Sequence, residues 1–135
     1  MGNRKDQALA ELSPLELEVM NIVWDLGECS SAEVIEQFSK KRQLAETTIR
    51  TVLANIRKKG YLEPVPTVER GFKVRPVVSK KEVARRSLKQ MLSILFDGSP
   101  RAAISFLIKE EDIDQKDLDE LKSLLDESRK KGKKK

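Results

Sequence analysis

The sequence of 135 residues predicts a mainly α-helical fold with one small β-hairpin. Two observations lead to this fold class. Three segments with the apolar spacing of helices precede two short segments that alternate like strands, and three more amphipathic segments follow them. The change from helical spacing to alternation falls just after Gly60, a residue type that often ends helices.

The first two predicted helices begin at strong start signals. Residues 13–16, Ser-Pro-Leu-Glu, combine a hydroxyl N-cap, a proline in the first turn and a glutamate that completes a capping box. Apolar residues then recur at helical spacing until Gly27. A second capping box over residues 30–33 opens a shorter helix over about residues 31–39. Between the two helices, Glu28-Cys29 fits a single-bridge strand.

A third helix is predicted over about residues 45–59, with Gly60 just beyond it. Residues 61–65 and 72–77 then alternate on either side of a polar tip over residues 68–71, which predicts a β-hairpin. Two strands alone are only marginally stable, so the hairpin must pack against the helices. Three helices followed by a hairpin is the order of a winged helix-turn-helix domain.

This domain is predicted to occupy residues 10–78, after a disordered arm over residues 1–9. In such a domain the third helix enters the major groove of DNA. Ile49 and Leu53 belong to an apolar stripe that must face the core, so the same periodicity turns polar residues outward. We predict that the outward-facing residues that contact DNA are Thr47, Thr48, Arg50, Thr51, Ala54 and Lys58. An ordinary solvated helix face is the alternative for any one of them.

The hairpin carries further basic residues. Arg70 lies at its tip, and Lys73 and Arg75 alternate onto one face of the returning strand. Such a ribbon fits contacts with DNA phosphates, and we predict Arg70 and Lys73 as DNA-binding residues. A surface hairpin with routine charges is the alternative, since Glu69 at the tip weakens the attraction. Tyr61 is interpreted as an anchor of the hairpin rather than a phosphate donor.

Residues 79–128 are predicted to form three amphipathic helices that make a dimer. The helices begin after Ser79, at Pro100 and at Asp114 or Asp117. So short a segment makes a poor core alone, and burial against the same helices of a second copy is the simplest solution. The alternative is that these helices fold back on the winged helix of the same chain. The predicted interface residues are Leu88, Met91, Leu92, Leu95, Phe106, Leu107, Leu121, Leu124 and Leu125.

Charge is unevenly distributed along the chain. The net charge is +5, but residues 40–75 hold ten basic against three acidic residues, a local net charge of +7. This stretch includes the third helix and the hairpin, and a cationic surface suits a polyanion such as DNA. The basic residues 129–135 are instead predicted to form a disordered tail.

The composition argues against an enzyme or a metal protein. The chain has no histidine and one cysteine, Cys29, which removes the usual general base and most zinc sites. It has no glycine-rich phosphate loop, and the acidic residues 110–114 lack partners that suggest a metal cage. We therefore expect no catalysis, no metal and no cofactor. Cys29 is interpreted as a small buried apolar residue rather than a redox sensor.

The hydropathy pattern predicts a cytoplasmic protein that does not bind membranes directly. No apolar run approaches the ~18 residues of a membrane span. Residues 1–12 contain no continuous apolar stretch that would act as a secretory signal.

Several stretches of the chain resemble the penicillinase-repressor (BlaI/MecI/CopY) family. They are residues 12–20 (LSPLELEVM) with Trp24, residues 48–53 (TIRTVL) followed by Lys-Lys-Gly at 58–60, and residues 120–125 (ELKSLL). The resemblance spans about residues 10–127. It implies a homodimeric repressor with an N-terminal winged helix and a helical dimerisation domain, often controlling β-lactam resistance genes and sometimes copper homeostasis. The family's groove-facing positions correspond to Thr47, Thr48, Arg50 and Thr51, with Arg70 on the wing as a weaker match.

Two departures from the family pattern concern the inducing signal. The copper-responsive branch ends in a cluster of cysteines, whereas Cys29 is the sole cysteine here, so copper sensing is not expected. In the β-lactam branch, the resemblance implies a membrane sensor protease as partner and cleavage at an Asn-Phe bond. The matching pair in this chain is Phe106-Leu107, the candidate proteolytic site. Apolar spacing alone favours a core or interface role for Phe106.

The function predicted from these observations is sequence-specific repression of transcription. A homodimer would bind a palindromic operator and control antibiotic-resistance or stress-response genes. The alternative is a winged-helix module that binds proteins and lacks specific DNA binding.

Overall fold

In the computed structural model, which describes residues 9–68 and 73–133, the chain divides into two compact units. The first unit runs to Arg86 and the second begins at Ser87. This division falls later than the predicted boundary after residue 78, because Val83 is buried in the core of the first unit.

The three helices of the first unit lie where the sequence predicts them. They are α1 (Pro14–Leu26), α2 (Ser31–Ser39) and α3 (Glu46–Lys58). At the start of α1, the Ser13 hydroxyl accepts a hydrogen bond from the Glu16 amide at 3.2 Å, and the Glu16 carboxylate accepts one from the Ser13 amide at 2.7 Å. Ser30 and Glu33 form the same box at α2. Gly27, with φ of 77°, ends α1 in a conformation that favours glycine.

The predicted hairpin is present, and a third strand joins it. The strands β1 (Cys29–Ser30), β2 (Leu62–Val65) and β3 (Lys73–Pro76) form an antiparallel sheet in the order β1-β3-β2. Val74 on the central strand pairs with Cys29 on one side and with Pro64 on the other. Pro64 lies on the edge strand β2, where a missing amide donor is tolerated. Because β1 also connects α1 to α2, the sheet ties the hairpin to the helices.

The core of the first unit lies between the three helices and the sheet. Two hydrogen bonds at the core link residues distant in the sequence. The Trp24 indole donates to the Val78 carbonyl at 2.9 Å, and the Tyr61 hydroxyl donates to the Ala10 carbonyl at 2.7 Å. Tyr61 is buried, which confirms its interpretation as an anchor. The largest fully buried side chains are Phe38, Met20, Ile49, Leu53, Ile56, Leu62, Val19, Val23, Val34, Val74 and Cys29.

Three further helices follow the sheet. They are α4 (Lys80–Leu95), which begins in the first unit, α5 (Pro100–Glu110) and α6 (Gln115–Lys133). The Ser99 hydroxyl accepts from the Ala102 amide at 3.1 Å, and the Asp114 carboxylate accepts from the Asp117 amide at 2.8 Å. These caps confirm the predicted helix starts. Among residues 9–68 and 73–133, no single helix is long and apolar enough to cross a membrane, and α4 with α5 meets that test only as a pair bent by 85°.

Large apolar side chains of the second unit are mostly exposed. Among the described residues of the first unit, the exposed large apolar side chains are only those of Leu26, Leu44 and Val68. The exposed large apolar side chains of the second unit are those of Leu88, Met91, Ile94, Leu95, Ile104, Phe106, Leu107, Ile108, Leu121, Leu124 and Leu125. Of the predicted interface residues, Leu92 alone is half-buried within the chain. Phe106 also packs edge-to-face against Phe96, with ring centroids 5.8 Å apart.

The predictions for the two chain ends are partly wrong. Leu9, assigned to a disordered arm, packs against the core beside Gly60, while residues 1–8 lie outside the described residues. Residues 129–133, assigned to a disordered tail, continue α6. Lysine and arginine are good helix formers and are favoured at the negative end of a helix dipole, so a basic composition did not end the helix. Residues 134–135 lie outside the described part.

Candidate nucleic-acid interface

Helix α3 has one buried apolar face and one exposed polar face, as its spacing predicts. Ile49, Val52, Leu53 and Ile56 are buried in the core. The opposite face presents Thr47, Arg50, Thr51, Ala54 and Lys58 to solvent, and Thr48 beside them is half-buried. At a rise of about 1.5 Å per residue this face is about 16 Å long, enough to cross a major groove of about 12 Å. The predicted residues of this helix therefore share one surface.

The start of α3 differs from the starts of α1 and α2. Its N-cap residue is Ala45, and no side chain accepts a hydrogen bond from the first amides. The Thr48 amide bonds to the Ala45 carbonyl at 3.0 Å. The amides ahead of it lie at the positive end of the helix dipole, an arrangement that suits a phosphate oxygen. The carboxylate of Glu46 in the same turn opposes that attraction.

Arg50, in the middle of the exposed face, is held by a hydrogen bond to α2. Its Nη1 atom donates to the Ser31 hydroxyl oxygen at 3.0 Å. Ser31 is the first residue of α2 and is buried. The bond links the two helices of the helix-turn-helix and fixes one end of the guanidinium group.

Lys59 does not belong to the exposed basic surface, although it follows Lys58 in the sequence. Its ammonium group donates to the Glu16 carboxylate at 2.6 Å and to the Glu11 carbonyl at 2.8 Å. Burial acts to raise the pKa of Glu16, but the hydrogen bond and charge of Lys59, with hydrogen bonds from Ser13, outweigh burial and lower that pKa. Lys59 thus joins the end of α3 to the start of α1.

The hairpin presents fewer free charges than its sequence suggests. Lys73 is half-buried on the central strand, and its charge helps lower the pKa of Glu33, after the larger effect of hydrogen bonds from Ser30. Arg75 is exposed but pairs with Glu63 on β2. Arg70, predicted at the tip, lies outside the described residues, which omit 69–72.

Cys29, on β1, is fully buried, as interpreted from the sequence. Burial, with a smaller contribution from the carboxylate of Glu33, raises the pKa of its thiol to about 11. The thiol therefore stays protonated and packs as a small apolar group. The described residues contain no group of three or more His, Cys, Asp or Glu side chains placed to hold a metal ion.

Comparison with known proteins identifies the family. The family model described as penicillinase repressor matches residues 12–127, most of the chain and both compact units. The chain belongs to the penicillinase repressor family.

Relatives in this family match the chain over nearly their full length. The methicillin resistance regulatory protein MecI of Mammaliicoccus sciuri is 26% identical over 120 residues, which cover 89% of this chain and 97% of that protein. The penicillinase repressor of Staphylococcus aureus is 25% identical over 121 residues, covering 90% of this chain and 95% of its own. The solution structure of the DNA-binding domain of the repressor BlaI is 30% identical, with a TM-score of 0.50 over 56% of this chain and 92% of that chain.

As a member of this family, the chain is a DNA-binding transcriptional repressor with a winged-helix fold. Helical spacing was sufficient to predict which face of α3 is exposed. Helical spacing did not predict the contacts of Ser31 and Lys59, two residues that hold this helix in place. Their partners lie 19 residues away for Ser31 and 43 residues away for Lys59, and no local pattern signals such contacts.

Proposed function

We propose that this repressor binds a palindromic operator as a homodimer, with α3 of each copy in the major groove of one half-site. The functional division we propose is a DNA-binding domain over residues 10–78 and a dimerisation domain over residues 79–128. A winged helix supplies one recognition helix per copy. A two-fold dimer places the second copy's recognition helix in the other half-site.

The observation that carries this proposal is the exposed polar face of α3, backed by a rigid core. The buried residues on its other side determine which face of the helix is exposed. Arg50 would donate to a guanine edge or a phosphate, and Thr51 and Ala54 would contact thymine methyl groups. Thr47 and Thr48, near the helix start, would contact phosphate.

Basic residues at the end of this face and on the hairpin would add contacts with the phosphate backbone. Lys58 at the end of α3 is exposed, and none of the ion pairs found in the described residues includes it. Lys73 would contribute less, because it is half-buried and near Glu33. Arg70 stays a proposed contact of the wing.

The homodimer is supported by the apolar surface of the second unit. Its exposed residues include Leu88 and Leu95 on α4, Phe106 and Leu107 on α5, and Leu124 on α6. Many exposed large apolar side chains are unfavourable in water and are typical of an interface. A second copy would bury it symmetrically.

We propose a cytoplasmic regulator of antibiotic-resistance or stress-response genes, without enzymatic activity. The names of two relatives, methicillin resistance regulatory protein MecI and penicillinase repressor, support a role in antibiotic resistance. A membrane sensor protease is the proposed signalling partner. Phe106 and Leu107 lie within α5, so cleavage between them would require that helix to unwind locally.

The experiment that tests the function compares affinity for the duplex upstream of the chain's own gene with affinity for random duplex over a range of salt. We expect a ratio of about 10³ or more and a steep salt dependence. Arg50→Ala should cost about 1–3 kcal/mol on the specific duplex and much less on random DNA. Arg101→Ala, at an exposed position on α5, is the matched control.

Equal and weak binding to both duplexes would contradict the proposal. It would favour the alternative, a winged-helix module that binds proteins.

A further inference from the structure

The guanidinium of Arg50 is anchored by a neutral partner rather than by a carboxylate. The 3.0 Å bond from Nη1 runs to the hydroxyl of Ser31, a residue with 6% of its surface exposed. Arg50 itself is exposed. One end of the side chain is thus tied to a buried group while the rest faces solvent.

A carboxylate is available at the usual spacing but is not used. Glu46 lies four residues before Arg50 on α3, the spacing at which acid–base pairs form on helices. None of the ion pairs within 4.0 Å in the described residues includes Arg50. An ion pair would compete with DNA for the positive charge, whereas a hydroxyl leaves that charge available. A guanidinium has five N–H donors, and this bond occupies one of them.

The start of α2, which carries Ser31, is held by several hydrogen bonds. Ser31 follows directly on Ser30, whose hydroxyl accepts from the Glu33 amide at 3.2 Å and whose amide donates to the Glu33 carboxylate at 3.0 Å. Ser30 also pairs with Lys73 in the sheet. The start of α2 is therefore fixed from two directions. A side chain held by a fixed group loses less conformational freedom on binding.

We propose that Ser31 is a positioning residue that directs Arg50 at the DNA and thereby sets the base preference of α3. This rests on the proposed function, in which Arg50 reads the operator. Ser31 does so without neutralising the charge of Arg50.

A double-mutant cycle tests this. The probe is the duplex that the wild-type chain selects from random sequences, and the readouts are affinity and base preference at each position. Ser31→Ala should weaken binding about 2- to 10-fold, the effect of one hydrogen bond. In the Arg50→Ala background the same change should have no effect. Both single variants should lose preference at the same base pair.

Two further variants separate positioning from folding. Ser39→Ala removes an exposed hydroxyl of the same helix, which donates to the Glu36 carbonyl at 2.6 Å, and should leave the base preference unchanged. Ser31→Thr keeps the hydroxyl and should retain the preference. Circular dichroism of each variant checks that it is folded.

Equal losses from Ser31→Ala in both backgrounds would overturn the proposal, because Ser31 would then act through the fold alone. Unchanged or tighter binding by Ser31→Ala would overturn it as well. If Arg50→Ala kept every base preference, Ser31 would have nothing to position, but specific DNA binding by the chain would stand. If the wild-type chain selected no sequence, both the positioning role and the proposed function would fail.

Discussion

Lys58 and Lys59 are neighbours in the sequence but serve different parts of the molecule. Successive helical residues point about 100° apart, so adjacent charges need not share a surface. Lys58 is exposed at the end of the face that carries Arg50, whereas the ammonium group of Lys59 bonds to the carboxylate of Glu16. The run Arg57-Lys58-Lys59 therefore overstates the basic surface at this point.

Replacing Lys59 by methionine should destabilise the fold by about 1–3 kcal/mol near neutral pH, because it leaves the buried carboxylate of Glu16 without its cation. The pKa of Glu16 is lowered in the fold, so its contribution is complete above the ordinary value of 4.5 and is lost as the pH falls through the folded-state pKa. Urea unfolding at several pH values measures this. The difference between wild type and Lys59→Met should shrink on acidification.

Lys58→Met is the matched control, since Lys58 is exposed. It should change stability by less than about 0.5 kcal/mol. An equal loss in both variants, or a Lys59→Met deficit that does not change with pH, would contradict the role of the Lys59–Glu16 pair.

Cys29 should be unreactive while the protein is folded. It is fully buried and the pKa of its thiol is about 11, so almost no thiolate is present to react at mildly alkaline pH. A thiol-specific chromogenic reagent added to native protein should react far more slowly than with protein in concentrated guanidinium. Rapid reaction in the native state would show an accessible thiol. That result would contradict the structural role of Cys29 and favour a redox role.

At the scale of elements, α3 lacks the side-chain N-cap that α1 and α2 have. Serine caps α1 and α2, while Ala45 leaves the first amides of α3 without a side-chain acceptor. The absent cap lowers stability but keeps those amides available to phosphate.

Ala45→Ser should therefore stabilise the fold by about 0.5–1 kcal/mol, by supplying the absent acceptor. The midpoint of urea unfolding measures this. Ala54→Ser, the same change in the exposed middle of α3, should instead destabilise slightly, because serine is a poorer helix former than alanine. A gain at both positions, or at neither, would show that capping is not the cause.

Local signals account for most elements but not for their long-range contacts. The capping boxes at Ser13 and Ser30 predict the starts of α1 and α2, and helical spacing predicts the face of α3 that carries Arg50. The pairing of β1 with β3 could not be predicted, because a two-residue strand has no period to detect. The bond from Arg50 to Ser31 depends on how α2 and α3 cross, which spacing within one helix does not fix.

At the scale of the whole molecule, the two units differ in how they bury apolar groups. The first unit encloses its core, whereas the second exposes large apolar residues on α4, α5 and α6. A small domain with such a surface gains stability from a partner, and this asymmetry supports the proposed homodimer.

The proposed dimer predicts that the double substitution Leu88→Asp and Leu95→Asp yields a monomer. Both residues are exposed, at 58% and 67%, so a charge should disrupt the interface without disturbing a packed core. Sedimentation velocity measures the mass. Ser93→Asp is the control, because Ser93 is exposed and lies on the opposite side of α4. An unchanged mass for the double variant would refute this interface and favour helices that fold back on their own chain.

The central claim, that α3 of each copy reads one half of a symmetric operator, is tested most directly by selecting bound duplexes from random sequences. We predict an inverted repeat whose half-site centres lie about 10 base pairs, or a multiple of that, apart. Arg50→Ala should relax one base pair in each half-site. A motif without two-fold symmetry, or no enrichment at all, would contradict the claim.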